Sequence, residues 1–174
     1  WDEGWAFYAG SLEGTDGSGS GELLYALADK RCINFGTCDR SNSSSLVNER
    51  LLRLFQTGEN ALAMGKCQEG RDILSQIIPL MTVPLVQGAL RYAYRADPSG
   101  GKGGSKDRAE GWAFAAAVLP QIAAINPQAA AMIRQNMMYN AISPVADGYV
   151  AVFTAFQSVY SALGITCADV GGLL

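Results

Sequence analysis

Apolar positions recur at intervals of three and four residues along almost the whole chain, and no stretch alternates as a half-buried strand would. Helices are predicted over residues 1 to about 13, 21–32, 43 to about 67, 71–95, about 108–125, 127 to about 141, and 146–163. Leu23, Leu24, Leu27 and Ala28 share one face of the second, and Val150, Phe153, Phe156 and Tyr160 form the buried stripe of the last. Gly14 and a loop over 15–19 close the first helix, a loop over 34–42 follows the second, and the serines at 43–45 supply hydroxyl caps for the third. Pro79 and Pro84 are expected to kink or split the 71–95 helix. Residues 97–105, rich in glycine, read as a flexible polar linker, and Pro127 suits a first helical turn. The pattern predicts an all-α bundle of about six to eight helices.

One pentapeptide, Glu-Gly-Trp-Ala-Phe, occurs twice, beginning at Glu3 and again at Glu110. Identity over five residues that include a tryptophan signals an internal repeat. Phe55-Gln56 and Phe156-Gln157 echo each other, as do Cys67-Gln-Glu69 and Cys167-Ala-Asp169, in the same order. The expectation is a single domain, 1–174, made of two halves at about 1–70 and about 71–174 with pseudo-twofold symmetry. The motif helices fall at 1–13 and 108–125.

Composition narrows the chemistry. Hydrophobic residues make up 49% and charged residues 17%, enough for a packed core and against disorder. A net charge of −3 without a basic cluster argues against nucleic acid as a partner. The longest mainly apolar run, 77–86, is too short for a membrane span and holds two prolines. Histidine is absent, which removes His-based triads and Glu-x-x-His di-iron sites, and no nucleophile motif is present. The chain is therefore not expected to be an enzyme. A bound metal would need carboxylate, tyrosinate, carbonyl or water oxygens, which suit Fe(III), Mn, Ca or Mg.

Four cysteines without zinc-knuckle spacing read as two disulfides. Of three formal pairings, Cys32–Cys38 closing a small loop and Cys67–Cys167 tying the halves together are favoured. The sequon Asn42-Ser43-Ser44 agrees with secretion. The start at Trp1, almost inside the first motif, is read as that of a processed product.

Each motif sets one carboxylate in an apolar segment. Gly4 and Gly111 each cost about 1 kcal/mol in a helix relative to Ala, so their recurrence asks for a packing reason. If the motif helices cross there, Glu3 and Glu110 face each other, with Trp5 and Trp112 as walls that exclude water. Two such carboxylates repel unless a cation neutralises them. In the competing reading Glu110 bonds backbone amides in an Asp107-x-x-Glu110 capping box, and Glu3 pairs with Arg31 or Lys30. On the duplication alone, salt bridging is the stronger reading.

Asp29-Lys30-Arg31-Cys32 packs both signs of charge against a predicted disulfide. Lys30 and Arg31 would complement a helix C-terminus. Functionally, Asp29 would join a metal shell to which Tyr25 and Tyr8 add phenolate oxygens, although tyrosines at helical spacing are more often core. Glu49 and Arg53 are expected to pair, Glu59 and Glu69 to be solvated, and Met132, Met137 and Met138 to fill core. Arg91, Tyr92, Tyr94 and Arg95 fit amphipathic packing better than an anion pocket.

Glu3-Gly-Trp-Ala-Phe-Tyr-Ala-Gly10 and Leu27-Ala-Asp-Lys-Arg-Cys-Ile-Asn-Phe-Gly-Thr-Cys38 resemble the low-iron-inducible, high-CO2-inducible periplasmic proteins of green algae. The resemblance implies a periplasmic or cell-surface location and a role in iron assimilation, with Glu3, Glu110, Asp29 and Arg31 carried over. It moves iron binding ahead of salt bridging. The expected cargo is Fe(III) or Fe(II), or another hard cation, with room for a small anion and for a surface receptor or transporter. The alternative is a non-catalytic structural or cell-surface module whose motif acids form salt bridges. A metal-assisted hydrolase or bicarbonate-related enzyme is the least favoured reading.

Overall fold

The computed structural model describes residues 1–13, 19–41 and 44–174. The predicted loop residues 14–18, and Asn42 and Ser43 of the sequon and cap, lie outside the described residues. Among the described residues all regular structure is helical: α1 (Asp2–Ala9), α2 (Leu24–Phe35), α3 (Leu46–Ala63), α4 (Cys67–Ala96), α5 (Ser105–Ile125), α6 (Pro127–Met137), α7 (Tyr149–Gln157), α8 (Tyr160–Leu163) and α9 (Cys167–Val170). The all-α expectation holds, with nine described helices rather than six to eight. The predicted 146–163 helix breaks after α7, where the Ser158 hydroxyl bonds the Ala155 carbonyl and competes with the helical ladder. Of the predicted stripe Phe156 and Tyr160 are buried, together with Val152, Ala155 and Val159, whereas Phe153 is half-buried and Val150 is exposed.

The chain divides into two compact units, Trp1–Pro84 with Gly171–Leu174, and Leu85–Val170. In the first, α1 packs on α2 and α2 on α3. Ser45 caps α3, its hydroxyl accepting the Val47 N–H at 3.2 Å. Gly36, at φ 67°, ends α2 in the left-handed conformation that a β-carbon disfavours. The chain turns there into the Cys32–Cys38 disulfide loop, and an isolated antiparallel bridge joins Cys38 to Ser45. The C-terminal residues bond α2: the Gly172 N–H donates to the Phe35 carbonyl at 3.1 Å.

In the second unit α5 packs on α6 and α8, and α6 on α7, around Val118, Ile122, Ile133, Val152 and Phe156. Residues 97–105 form a tied turn instead of a loose linker. The Gly103 N–H bonds the Arg95 carbonyl at 2.7 Å, and the Asp97 carboxylate accepts the Ser99 and Tyr149 N–H groups, each at 2.7 Å. Arg95 pairs with Asp107, which also accepts the Gly104 N–H at 2.9 Å. Asp107, not Glu110, is therefore the carboxylate that satisfies the start of α5.

Helix α4 runs through Pro79 and Pro84 without a break, although each removes a ladder bond. Its apolar face, including Ile77, Leu80, Val83, Val86 and Leu90, is buried, and that burial offsets the lost bonds. By length and composition α4 is also long and apolar enough to cross a membrane; 61% of its apolar window is buried within the fold, as in a core helix.

The predicted Cys67–Cys167 disulfide is not formed; both are exposed free thiols, and among the described residues Cys32–Cys38 is the one disulfide. An even cysteine count requires pairing only where geometry brings the sulfurs together. Here Cys67 opens α4 and Cys167 opens α9, each at a solvated helix start. Ellman's reagent should titrate two thiols in the native chain and four after reduction and unfolding. No reactive thiol in the native state would contradict this arrangement.

The two motif glycines differ. A β-carbon on Gly4 would meet Phe55 at an ordinary 3.5 Å, whereas one on Gly111 would fall 2.9 Å from Tyr92 Cβ. Gly4→Ala should stabilise the fold by about 0.5–1 kcal/mol through helix propensity. Gly111→Ala should destabilise it by about 1–3 kcal/mol through overpacking. Urea denaturation checks both signs.

Candidate functional site

The densest polar cluster lies in the first unit, where α1, α2 and α3 meet. Asn48 of α3 is 1% exposed. Its carbonyl oxygen accepts the Tyr8 hydroxyl at 2.7 Å, and its amide donates to the Tyr25 carbonyl at 2.9 Å and to Asp29 Oδ1 at 2.8 Å. The Ser45 N–H donates to the same Asp29 oxygen at 2.8 Å. Asp29 Oδ2 makes no hydrogen bond among the described residues. Trp5 closes the cluster: its ring centroid lies 6.0 Å from those of Tyr8 and Tyr25 and 5.3 Å from that of Phe55.

Burial pushes the Asp29 carboxyl above its usual range, against the opposing pull of the Ser45 N–H and the Asn48 amide. Burial also raises the Tyr8 phenol, and the Asp29 charge and Tyr25 raise it further. Tyr25 is raised by burial and then by Asp29, while a bond with the Ser44 hydroxyl opposes the shift; Glu13 and Glu49 add to the rise. The charged groups acting on both phenols are thus acidic. Glu13 itself is 4% exposed, and its Oε1 has no hydrogen-bond partner among the described residues. That oxygen faces Gly21, where any β-carbon would fall 1.9 Å away.

Of the predicted ligands, Asp29, Tyr25 and Tyr8 converge, and Trp5 walls them. Arg31 is buried on the same helix, next to the disulfide. Glu3 is exposed and makes no ion pair among the described residues; Lys30 pairs instead with Glu22 at 3.4 Å. Gly4 packs against Phe55. In the second unit Glu110 pairs with Lys106 at 3.6 Å, one helical turn away, and Gly111 packs against Tyr92 and Met137. Trp112 lines a shallow groove of about 440 Å³ with Leu119, Pro120, Pro127 and Arg134. Among the described residues no three Asp, Glu or Cys side chains are placed to hold a metal ion. The donors that do converge are one carboxylate and two phenols.

Sequence reasoning passed over Asn48 and Glu13, and offered Ser45 only as a helix cap, a role it does fill. Asn48 carried a readable signal: it sits among Val47, Leu51 and Phe55 on the inward stripe of α3, where a polar residue needs a buried partner. Comparison with protein-family models, curated proteins and solved structures returns no match.

The raised Asp29 carboxyl sets the sign of a pH effect. The folded state holds this proton more tightly than the unfolded chain, so Asp29 favours folding most below the ordinary value of 3.8. That contribution is lost as pH rises through the raised folded value. Asp29→Asn keeps an oxygen acceptor for Ser45 and Asn48. In urea denaturation from about pH 3 to pH 7, the stability of the native chain relative to this variant should fall with rising pH. A relative gain would contradict the burial argument.

Proposed function

We propose that the chain is an extracellular binding protein for a hard metal cation, iron foremost, that assists iron assimilation. One observation carries the reading: the half-buried Asp29 has one oxygen bonded by two N–H groups and the other without a bond among the described residues, beside two phenols that burial and the Asp29 charge both raise. A cation there would relieve the desolvation that raises all three groups. Asp29 and Tyr25 are the principal ligands in this proposal. Tyr8 is secondary, because its hydroxyl already serves Asn48. Ionising a phenol against its burial needs a strong Lewis acid, which favours Fe(III) over Ca or Mg. Further positions would go to water, a small anion or the motif acid Glu3. The resemblance of the motif and the cysteine loop to the low-iron-inducible algal proteins supports iron, and the Cys32–Cys38 disulfide agrees with an oxidising compartment.

A second reading has its own support. The Tyr8–Asn48–Asp29 chain already joins three helices, and Glu110 is ion-paired with Lys106. In that reading the cluster only holds a structural or cell-surface module together.

Titration with Fe(III) citrate separates the two. The metal reading expects a visible tyrosinate-to-iron absorption band and an affinity that rises with pH as protons are released. Asp29→Asn and Tyr25→Phe should each weaken binding by about tenfold or more, about 1.4 kcal/mol. Glu3→Ala and Glu110→Ala should have smaller effects. Unchanged affinity in the folded Asp29→Asn and Tyr25→Phe variants would leave the structural reading.

A further inference from the structure

We propose that a second site on the first unit, distinct from the Asp29 cluster, binds small organic cations of the alkylammonium class. The site is a groove of about 350 Å³ between α1 and α3, walled by Trp1 and Trp5, floored by Phe55 and rimmed by Asp2 and Glu59. That volume is at the lower end of the range for small-molecule clefts.

The aromatic walls are held in place. The Trp1 indole lies flat on Gly58, where a β-carbon would fall 2.0 Å from the ring, and its Nε1–H donates to the Phe55 carbonyl at 2.8 Å. The Trp1 and Phe55 centroids are 5.5 Å apart at 59°, and those of Trp5 and Phe55 5.3 Å apart at 64°. Three mutually tilted rings make a concave surface, and aromatic faces carry negative potential. Trp1 keeps 19% of its side chain exposed, and Trp5 is half-buried.

Of the two rim acids, Asp2 is ion-paired with the Trp1 amino group, and Glu59 adds charge of the same sign. Asp2 is fully exposed and 3.8 Å from the Trp1 ammonium. Glu59 is exposed and makes no ion pair among the described residues, so an unneutralised carboxylate borders the aromatic faces. Aromatic faces beside a free carboxylate complement a cation of low charge density, whose weak hydration is easily shed. A bare metal ion would find too few oxygens to replace its water. An anion would meet repulsion from the rim.

Choline chloride, titrated at fixed ionic strength, tests the site by calorimetry and by the choline N-methyl proton resonance. Saturable binding on the order of millimolar is expected, with that resonance moved upfield by the rings. The neutral isostere 3,3-dimethyl-1-butanol should bind about fivefold more weakly, and Trp1→Ala and Glu59→Gln should each weaken choline by a similar factor. Glu59 is exposed, so circular dichroism of Glu59→Gln should be unchanged, and that variant decides the test if Trp1→Ala, which removes a largely buried ring, disturbs the fold. Equal binding of choline and its isostere would reduce the site to an apolar crevice and overturn the proposal. So would indifference to both substitutions, absence of saturable binding, or glucose binding in place of choline. Asp29→Asn should leave choline binding intact, so the outcome is independent of the metal reading.

Discussion

One buried amide sets the terms for the first unit. Asn48 has almost no exposed surface, so every polar group it carries must find a partner inside the protein. Tyr8 comes from α1, the Tyr25 carbonyl and Asp29 from α2, and the amide itself from α3. Three helices are thereby held in one register, and leaving any of these groups unbonded would cost about 1–3 kcal/mol. The Cys32–Cys38 loop adds a covalent constraint through the same point. It places Ser45, whose N–H bonds Asp29 while its hydroxyl caps α3.

The same constraint produces the chemistry. Asp29 is kept half-buried by its structural bonds, and its second oxygen is left over. The contrast with other acids is instructive. The Asp97 carboxyl is held low by Ser99 and the Tyr149 N–H, and that of Asp107 by Arg95. Those two are acids whose charge the fold answers, at a tied turn and a helix start. Asp29 is raised because burial outweighs the two N–H groups offered to it. Perturbed groups of that kind mark candidate sites, and here the neighbouring phenols share the perturbation.

The repeated pentapeptide shows how far identical residues can diverge in role. Phe7 is 80% exposed, whereas Phe114 stacks on Tyr92 with planes 10° apart. Gly4 is open, and Gly111 is buried against Tyr92 and Met137. Trp5 belongs to a five-ring cluster with Trp1, Tyr8, Tyr25 and Phe55; Trp112 borders a shallow groove. The motif drew attention to Glu3 and Glu110, yet the polar convergence lies with residues outside the pentapeptide. A local match encodes helix formation and small-residue spacing, and surroundings come from distant segments.

The sequence by itself determined the helical class, most helix positions, the short disulfide loop and the Glu49–Arg53 pair. These follow from periodicity, close spacing and composition, which are local or additive properties. It also offered Asp29, Tyr25 and Tyr8 as a set, because charge beside a disulfide and aromatic spacing can be seen along the chain. Only the tertiary structure decided that they meet around Asn48, that Cys67 and Cys167 are exposed free thiols, and that Glu110 answers Lys106. It also carried α4 through two prolines and tied down the glycine-rich turn. Each of those outcomes depends on which side chains share a buried volume, and burial is a property of the packed chain that no single segment encodes.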